Sequence, residues 1–457
     1  MMDTWRFDFL SCLGNDWIKT PGVDKLASEG TLFENAYSEG VPTLPARMSC
    51  FTGRYTFPFR PWQRLENNDL LLAEILDRAG YTTALISDTS PLRISNYMMG
   101  FRYVEFSDNQ HFDTREPGAS KAKVDIYKYN KDRGNPRDIF HKENLRRELQ
   151  VSLLWKSDEE SYVAQTVKKA MKWLEMQKGR NHVFLWLDTW DPHEAWDPPP
   201  PFNTMYLNPN YEGPLLVHPS GGNVNGYLTE EELQCVRALY AGEVSMCDKW
   251  VGIFLDKIEE LDLLENTLII FLSDHGTFHG EHNLIMKARC WPYEVMSHIP
   301  LIIKHPDGLG KGKRIKSFVD TTDIMPTILD FLGVKLPQPR SSHEILHGHS
   351  LLPLISGEIE KVRDYAYMGW FNRSWAIRDG DWKYIMYTSP NFVYTGKDKN
   401  ELFNLKEDPD ELNNLYDEEP ELVNRLELQL RRFIDNLPPP QLSRPILTKG
   451  DHNQGCR

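Results

Sequence analysis

Short apolar runs, separated by amphipathic stretches, constrain the fold of this chain most. The runs at 82–87 (TTALIS), 182–187 (HVFLWL), 267–272 (TLIIFL) and 299–303 (IPLII) lack a clean alternation of apolar and polar positions. Strands of that kind are covered on both faces. Helical patterns lie between them: residues 23–30 and 69–80, each closing on a glycine, residues 159–177, and residues 229–261 as one or two helices. This alternation predicts an α/β fold with a mostly parallel central sheet flanked by helices.

A chain of 457 residues exceeds what one core usually serves, so a second domain is expected. The pattern changes near 356–365. Beyond it lie a hairpin over 374–388 turning at Asp379-Gly380, a strand over 399–405 and a helix over 419–434. The expected organisation is a catalytic α/β domain over 1–360, a small C-terminal α+β subdomain over 361–445 and a tail over 446–457. Residues 107–150 read as a polar surface insertion. Residues 195–230, with Pro198-Pro199-Pro200-Pro201 and Gly221-Gly222, read as a long irregular segment bordering a site.

A net charge of −14 argues against nucleic-acid binding. It still permits a local positive site for a small anionic substrate. Cys12, Cys50, Cys235, Cys247, Cys290 and Cys456 include no CxxC pair and read as reduced thiols, so a cytoplasmic location is expected. No apolar run reaches the roughly 20 residues of a membrane-spanning helix, and no membrane partner is expected. The chain opens at Met1-Met2-Asp3 without a leader, which reads as a truncated start. A homo-oligomer is compatible with the composition, although neither the C-terminal helix nor the 107–150 segment shows an exposed apolar stripe to drive it.

Chemistry concentrates where strands end. Asp3 stands at the end of a first strand, and Asp274 and His275 directly follow the run at 267–272. Two carboxylates and an imidazole suit a divalent ion, and loops converge at the carboxyl ends of parallel strands. Capping of the next helix is the plainer role for a strand-end Asp. Thr43 lies between Pro42 and Pro45 at the start of a helix-like stretch. There its hydroxyl either faces an anion or simply caps the helix.

In order along the chain, several segments resemble the sulfatase family within the alkaline-phosphatase-like superfamily. They are Asp3-Thr4-Trp5-Arg6-Phe7-Asp8; Thr20-Pro21-Gly22-Val23-Asp24-Lys25-Leu26-Ala27; Thr43-Leu44-Pro45-Ala46-Arg47 with Thr52-Gly53-Arg54; and Asp191-Pro192-His193. They continue with Ser273-Asp274-His275-Gly276 and Gly280-Glu281-His282 with Lys287, then Asp381-Trp382-Lys383-Tyr384 and Glu401-Leu402-Phe403-Asn404-Leu405. The resemblance implies that Asp3, Asp274, His275 and Thr43 hold a metal and that Arg47 orients the nucleophile. It also implies that His193 and Lys287 contact the ester oxygens and assist the leaving group.

The chain departs from that family's pattern at informative places. Sulfatases carry a Cys or Ser, converted to formylglycine, where this chain has Thr43. Cys50 repeats the Cys-to-Arg spacing with Arg54 but has Thr52 where a proline belongs, so it reads as helix or core. His275 replaces an Asn and Thr4 a second Asp, which favours one Mn2+ or Zn2+ ion over Ca2+. The stretch Ser87-Asp88-Thr89 lacks the family's Lys and His, so either the substrate carries its own cation or Arg93 or the 107–150 segment supplies the charge. The family's apolar strand before Asp3 is reduced to Met1 and Met2.

A threonine nucleophile resembles that of phosphonate monoester hydrolases and phosphodiesterases. The expected activity is metal-dependent hydrolysis of phosphodiester, phosphomonoester or phosphonate esters through a phospho-Thr43 enzyme. The alternatives are a sulfuric ester hydrolase acting without formylglycine and an inactive sulfatase-like protein. Trp196, Trp291 and Tyr293 either line the pocket or belong to the core.

Overall fold

The main sheet is assembled around Met2. The computed structural model describes residues 1–107, 123–133, 137–287, 291–336, 339, 344–388 and 399–440. Its strands Thr31–Phe33 (β1), Thr82–Ser87 (β2), Tyr103–Phe106 (β3), Val183–Asp188 (β4), Ile269–Leu272 (β5), Leu301–Lys304 (β6) and Lys313–Ile315 (β7) form two half-sheets. One runs β3-β2-β4, all parallel. The other runs β7-β1-β6-β5, with β6 antiparallel to both neighbours. Met2 joins the halves, pairing in parallel with Thr189 beyond β4 and Ser273 beyond β5. The reversed direction of β6, in the run expected at 299–303, had no sequence signal, because that strand is buried in either direction.

Above Met2 the half-sheets stand apart. A cavity of about 440 Å³ lies between the facing edges of β4 and β5, lined by Val163, Leu185, Leu187, Leu255, Ile270 and Leu272 among others. Only the backbone at the end of this slot is laddered: Met2 N donates to Leu272 O, and Thr189 N to Met1 O, each at 3.0 Å. That suffices to bury Asp3 completely.

Helices cover both faces. Pro21–Glu29 (α1), Tyr162–Met176 (α4) and Glu230–Glu260 (α5) bury Leu26, Val163, Val167, Leu239 and Val244 against Phe271 and Ile302. Thr43–Thr52 (α2), Leu72–Arg78 (α3) and Ile324–Phe331 (α6) bury Met48, Phe51, Leu76 and Ile324 on the other face, around Leu85, Trp186 and Leu272. The pattern over 229–261 resolves as one helix. Its start is a capping box in which Glu232 N donates to Thr229 Oγ at 3.2 Å and Thr229 N to Glu232 Oε2 at 2.8 Å, an arrangement worth about 1 kcal/mol.

The C-terminal sheet is separate and antiparallel, in the order Ala366–Trp370 (β8), Ser374–Asp379 (β9), Trp382–Tyr387 (β10) and Glu401–Asn404 (β11). The β9–β10 turn needs φ of +57° at Gly380, which glycine adopts without steric penalty. Pro420–Asn436 (α7) lays Leu426 and Leu430 over Tyr367, Tyr384 and Leu402. This sheet supports the loop that leads to Thr43: Gly369 N donates to Glu39 O at 2.8 Å and Val41 N to Gly369 O at 3.1 Å.

Of the expected 107–150 insertion, residues 108–122 and 134–136 lie outside the described residues, as does the expected tail over 446–457. Its Ile126, Leu145 and Leu149 are buried in the main core, so the described part of the segment is not all surface. Among the described residues, no helix is long and apolar enough to cross a membrane.

Candidate active site

Three carboxylates emerge at one edge of the sheet because β4, Met2 and β5 run in the same direction. Asp188 ends β4, Asp3 follows Met2, and Asp274 lies two residues past β5. The turn after Met2 is tight. Thr4, a β-branched residue, is left-handed with φ of +64°, a conformation that persists only where the surroundings impose it. Here Thr4 N donates to Asp274 Oδ1 at 2.9 Å, Thr4 Oγ to Asp3 Oδ1 at 2.6 Å, and Tyr240 OH to Thr4 O at 2.8 Å. Thr4, where the family's pattern has a second Asp, thus aims Asp3.

The structure brings Asp3, Asp274 and His275 together, each fully buried, with one ligand atom from each within 4.8 Å of the others. His275 Nδ1 lies 2.7 Å from Gly276 O. A carbonyl only accepts, so Nδ1 carries the hydrogen and Nε2 presents its lone pair to the site. Burial lowers the His275 pKa, keeping the ring neutral. Burial and the neighbouring Asp274 push Asp3 well above the usual carboxylate range. Burial also raises Asp274, but His275, Arg47 and the Thr4 amide outweigh it and hold it at about 2. Asp3 Oδ2 is buried and accepts no hydrogen bond. Two crowded carboxylates, one with an orphaned oxygen, and an imidazole lone pair are a donor set that fits a divalent cation.

Thr43 is the first residue of α2, and its Oγ lies 3.2 Å from His275 Nε2. The hydroxyl is thus turned toward the Asp3–Asp274–His275 cluster. One turn on, Arg47 Nη1 bonds Asp274 and lies 3.1 Å from Asp3 Oδ2. Gly53, left-handed with φ of +64°, closes the helix by donating to Ser49 O at 2.8 Å.

His193 and Lys287 sit side by side through a residue that the sequence reading passed over. Glu194 accepts a bond from Lys287 Nζ, and its Oε2 lies 3.6 Å from His193 Nδ1. His193 also stacks on Trp190 at 3.8 Å. The Lys287 charge reaches the Asp3–Asp274–His275 cluster, opposing the rise at Asp3 and adding to the fall at His275.

Asp188 was also passed over. It accepts from Arg47 Nε at 3.0 Å and Nη2 at 2.8 Å, from Thr89 Oγ at 2.6 Å and from Trp186 Nε1 at 3.0 Å. Its signal was available, since an Asp ending a parallel strand is the same pattern that singled out Asp3 and Asp274. Cys50 is buried on α2, where burial pushes its thiol well above the usual range. Arg93 stacks over Phe106 at 5.6 Å and Trp196, Trp291 and Tyr293 are buried.

Residues 1–334 match the family model for sulfatases, and residues 280–436 match that for the C-terminal region of N-sulphoglucosamine sulphohydrolase. An arylsulfatase of Clostridium perfringens is 28% identical over 92% of this chain and 89% of its own length. Human arylsulfatase K is 26% identical over 92% of this chain and 79% of its own length. The crystal structure of a phosphonate monoester hydrolase of Agrobacterium radiobacter superposes with a TM-score of 0.73 at 23% identity, covering 95% of this chain and 94% of that one. At that identity the likeness speaks for the fold alone. The expected phosphodiester, phosphomonoester or phosphonate-ester activity is therefore corrected. It rested on Thr43 and on the His275 and Thr4 departures, whereas both family models and the arylsulfatase relatives, matched along most of the chain, support sulfuric-ester hydrolysis.

Proposed function

Since the chain belongs to the sulfatase family, we propose that it hydrolyses sulfuric monoesters, with Thr43 supplying the reacting oxygen. The supporting observation is Thr43 Oγ, 3.2 Å from His275 Nε2, at the helix start where the family's pattern has its formylglycine precursor.

In this reading Asp3, Asp274, His275 and Thr43 hold one divalent ion, which when bound lowers the pKa of a hydroxyl it contacts and draws charge off the sulfuryl oxygens. The lone pair on His275 Nε2 favours Mn2+ or Zn2+ over Ca2+. Arg47, fixed by Asp188, orients the nucleophile, its Nη1 donating to Thr43 O at 3.3 Å. As Thr43 Oγ gives its proton to solvent and bonds to sulfur, the bond from sulfur to the ester oxygen breaks, and Lys287 or His193 gives the departing alkoxide its proton. Water then cleaves the threonine sulfate, releasing sulfate and restoring the hydroxyl. The substrate is a small anionic ester. The free thiols of Cys12, Cys50, Cys235 and Cys247 fit a reducing compartment, in keeping with a cytoplasmic location.

The test is turnover of matched aryl sulfate, phosphate, phosphodiester and phosphonate by metal-stripped protein, with Mn2+, Zn2+ or Ca2+ restored and Thr43→Ala as control. Metal-dependent sulfate turnover that the control lacks supports the proposal. Dominant phosphoester turnover overturns it, and absence of any turnover favours an inactive sulfatase-like protein.

A further inference from the structure

The charges around the site come close to cancelling, and Glu194 is the reason. Its carboxylate is buried, with 4% of the residue exposed. It is ion-paired to Lys287 and within 3.6 Å of His193 Nδ1. Burial alone would raise its pKa, but His193, Lys287 and His218 outweigh burial and keep it ionised. Lys287 is therefore not a bare cation awaiting an anion. Asp188 cancels Arg47 in the same way. Asp3 and Asp274 share the Nη1 of that same Arg47 and together carry the two negative charges that a divalent ion would balance. Two further acids behind the site are held toward their neutral forms by burial, Asp191 well above the usual range and Asp88 at about 7.

A site without surplus positive charge suits a substrate that brings one negative charge. A sulfuric monoester carries one. A phosphoric monoester carries two above its second pKa of about 6, and the extra charge would meet Glu194 in a water-poor pocket where like charges repel strongly. We propose that Glu194 is a specificity-determining residue that, by neutralising Lys287 beside the ester oxygens, selects singly charged sulfuryl esters over doubly charged phosphoryl esters. The inference rests on the sulfuric-ester reading given above.

The test compares binding of methyl sulfate and methyl phosphate to Mn2+-loaded full-length protein at about pH 8, where the phosphate is doubly charged. The wild type is expected to prefer methyl sulfate. Glu194→Gln is expected to shift the affinity ratio toward methyl phosphate by about tenfold, and Glu194→Asp, which keeps the charge, to leave it within about twofold. The double variant Glu194→Gln with Lys287→Gln removes a matched pair and leaves no lone buried ammonium. It keeps the test open if the single variant folds poorly, and its ratio should stay near that of the wild type. An unchanged ratio in a folded Glu194→Gln protein, or a shifted one in the double variant, overturns the inference alone. Failure of the metal-loaded wild type to bind methyl sulfate overturns the sulfuric-ester reading and this inference with it.

Discussion

Arg47 grips Asp188 through Nε at 3.0 Å and Nη2 at 2.8 Å, leaving Nη1 to bridge Asp3 and Asp274. All four side chains are fully buried. Breaking such a pair by removing one partner leaves an uncompensated buried charge. Asp188→Asn should therefore lower unfolding stability by about 3 kcal/mol, read from urea denaturation. It should also lower kcat by releasing the guanidinium. A change below about 0.5 kcal/mol would mean that Asp3 and Asp274 suffice to hold Arg47.

Among the described residues the Thr43 hydroxyl makes one hydrogen bond, to His275. Thr43→Ala should lower kcat/KM for an aryl sulfate by about 10³ or more, while the melting temperature moves by less than about 4 °C, the size of a loss of about 1 kcal/mol. Thr43→Cys places the family's convertible Cys before this chain's Leu44-Pro45-Ala46-Arg47. Expressed with a cysteine-converting enzyme, it should gain sulfate turnover by about tenfold or more over the same variant expressed without it, with conversion followed by mass spectrometry.

Removing the metal should be visible without an assay of activity. An ion that binds only the folded chain stabilises it by about 2.7 kcal/mol at a hundred times its Kd, so a chelator should lower the melting temperature and one equivalent of Mn2+ or Zn2+ should restore it. Asp3→Asn and His275→Ala should each abolish stoichiometric binding measured by calorimetry. Full binding by either variant would place the ion elsewhere.

Stability should fall as pH rises through neutrality. Burial raises Glu39 from 4.5 to about 8 and Asp88 from 3.8 to about 7. Across that window the folded state binds more protons than the unfolded chain, so the stability present below pH 4 to 5 is lost as pH climbs through the folded values. Unfolding measured from about pH 5 to about pH 9 should show this decline, and Glu39→Gln should flatten its upper part. A rising profile would mean that His275, His279 and His347, whose pKa values burial lowers, dominate, because their unfolded forms bind the extra protons at the acid end of this range.

The cavity between β4 and β5 offers a packing test. Its volume is about 440 Å³ with mostly apolar walls, so lining atoms lack the contacts a packed core provides. Leu185→Phe should raise stability by about 1 kcal/mol if the larger ring fits a rotamer that enters the void. A loss of more than about 1 kcal/mol would show that the walls do not yield.

The sequence by itself determined the layers and several of the residues that meet. Branched apolar runs with no polar face fit only strands buried on both sides, and parallel strands present their terminal Asp residues on one edge, so Asp3, Asp274 and His275 could be expected to converge. What decided the rest was pairing across long chain separations. Glu194 takes its role from Lys287, 93 residues away, and Asp188, legible as a strand-end Asp, takes its role from Arg47, 141 residues away. The left-handed turn at Thr4 depends on a hydrogen bond to Asp274 and one from Tyr240, and the buried placement of Trp196 and Tyr293 on neighbours from other elements. A carboxylate reads alike in sequence whether it holds a metal, cancels a lysine or caps a helix. Its role follows from which charges the fold brings within a few ångströms and from how much water is excluded around them, and these are properties of the tertiary structure alone.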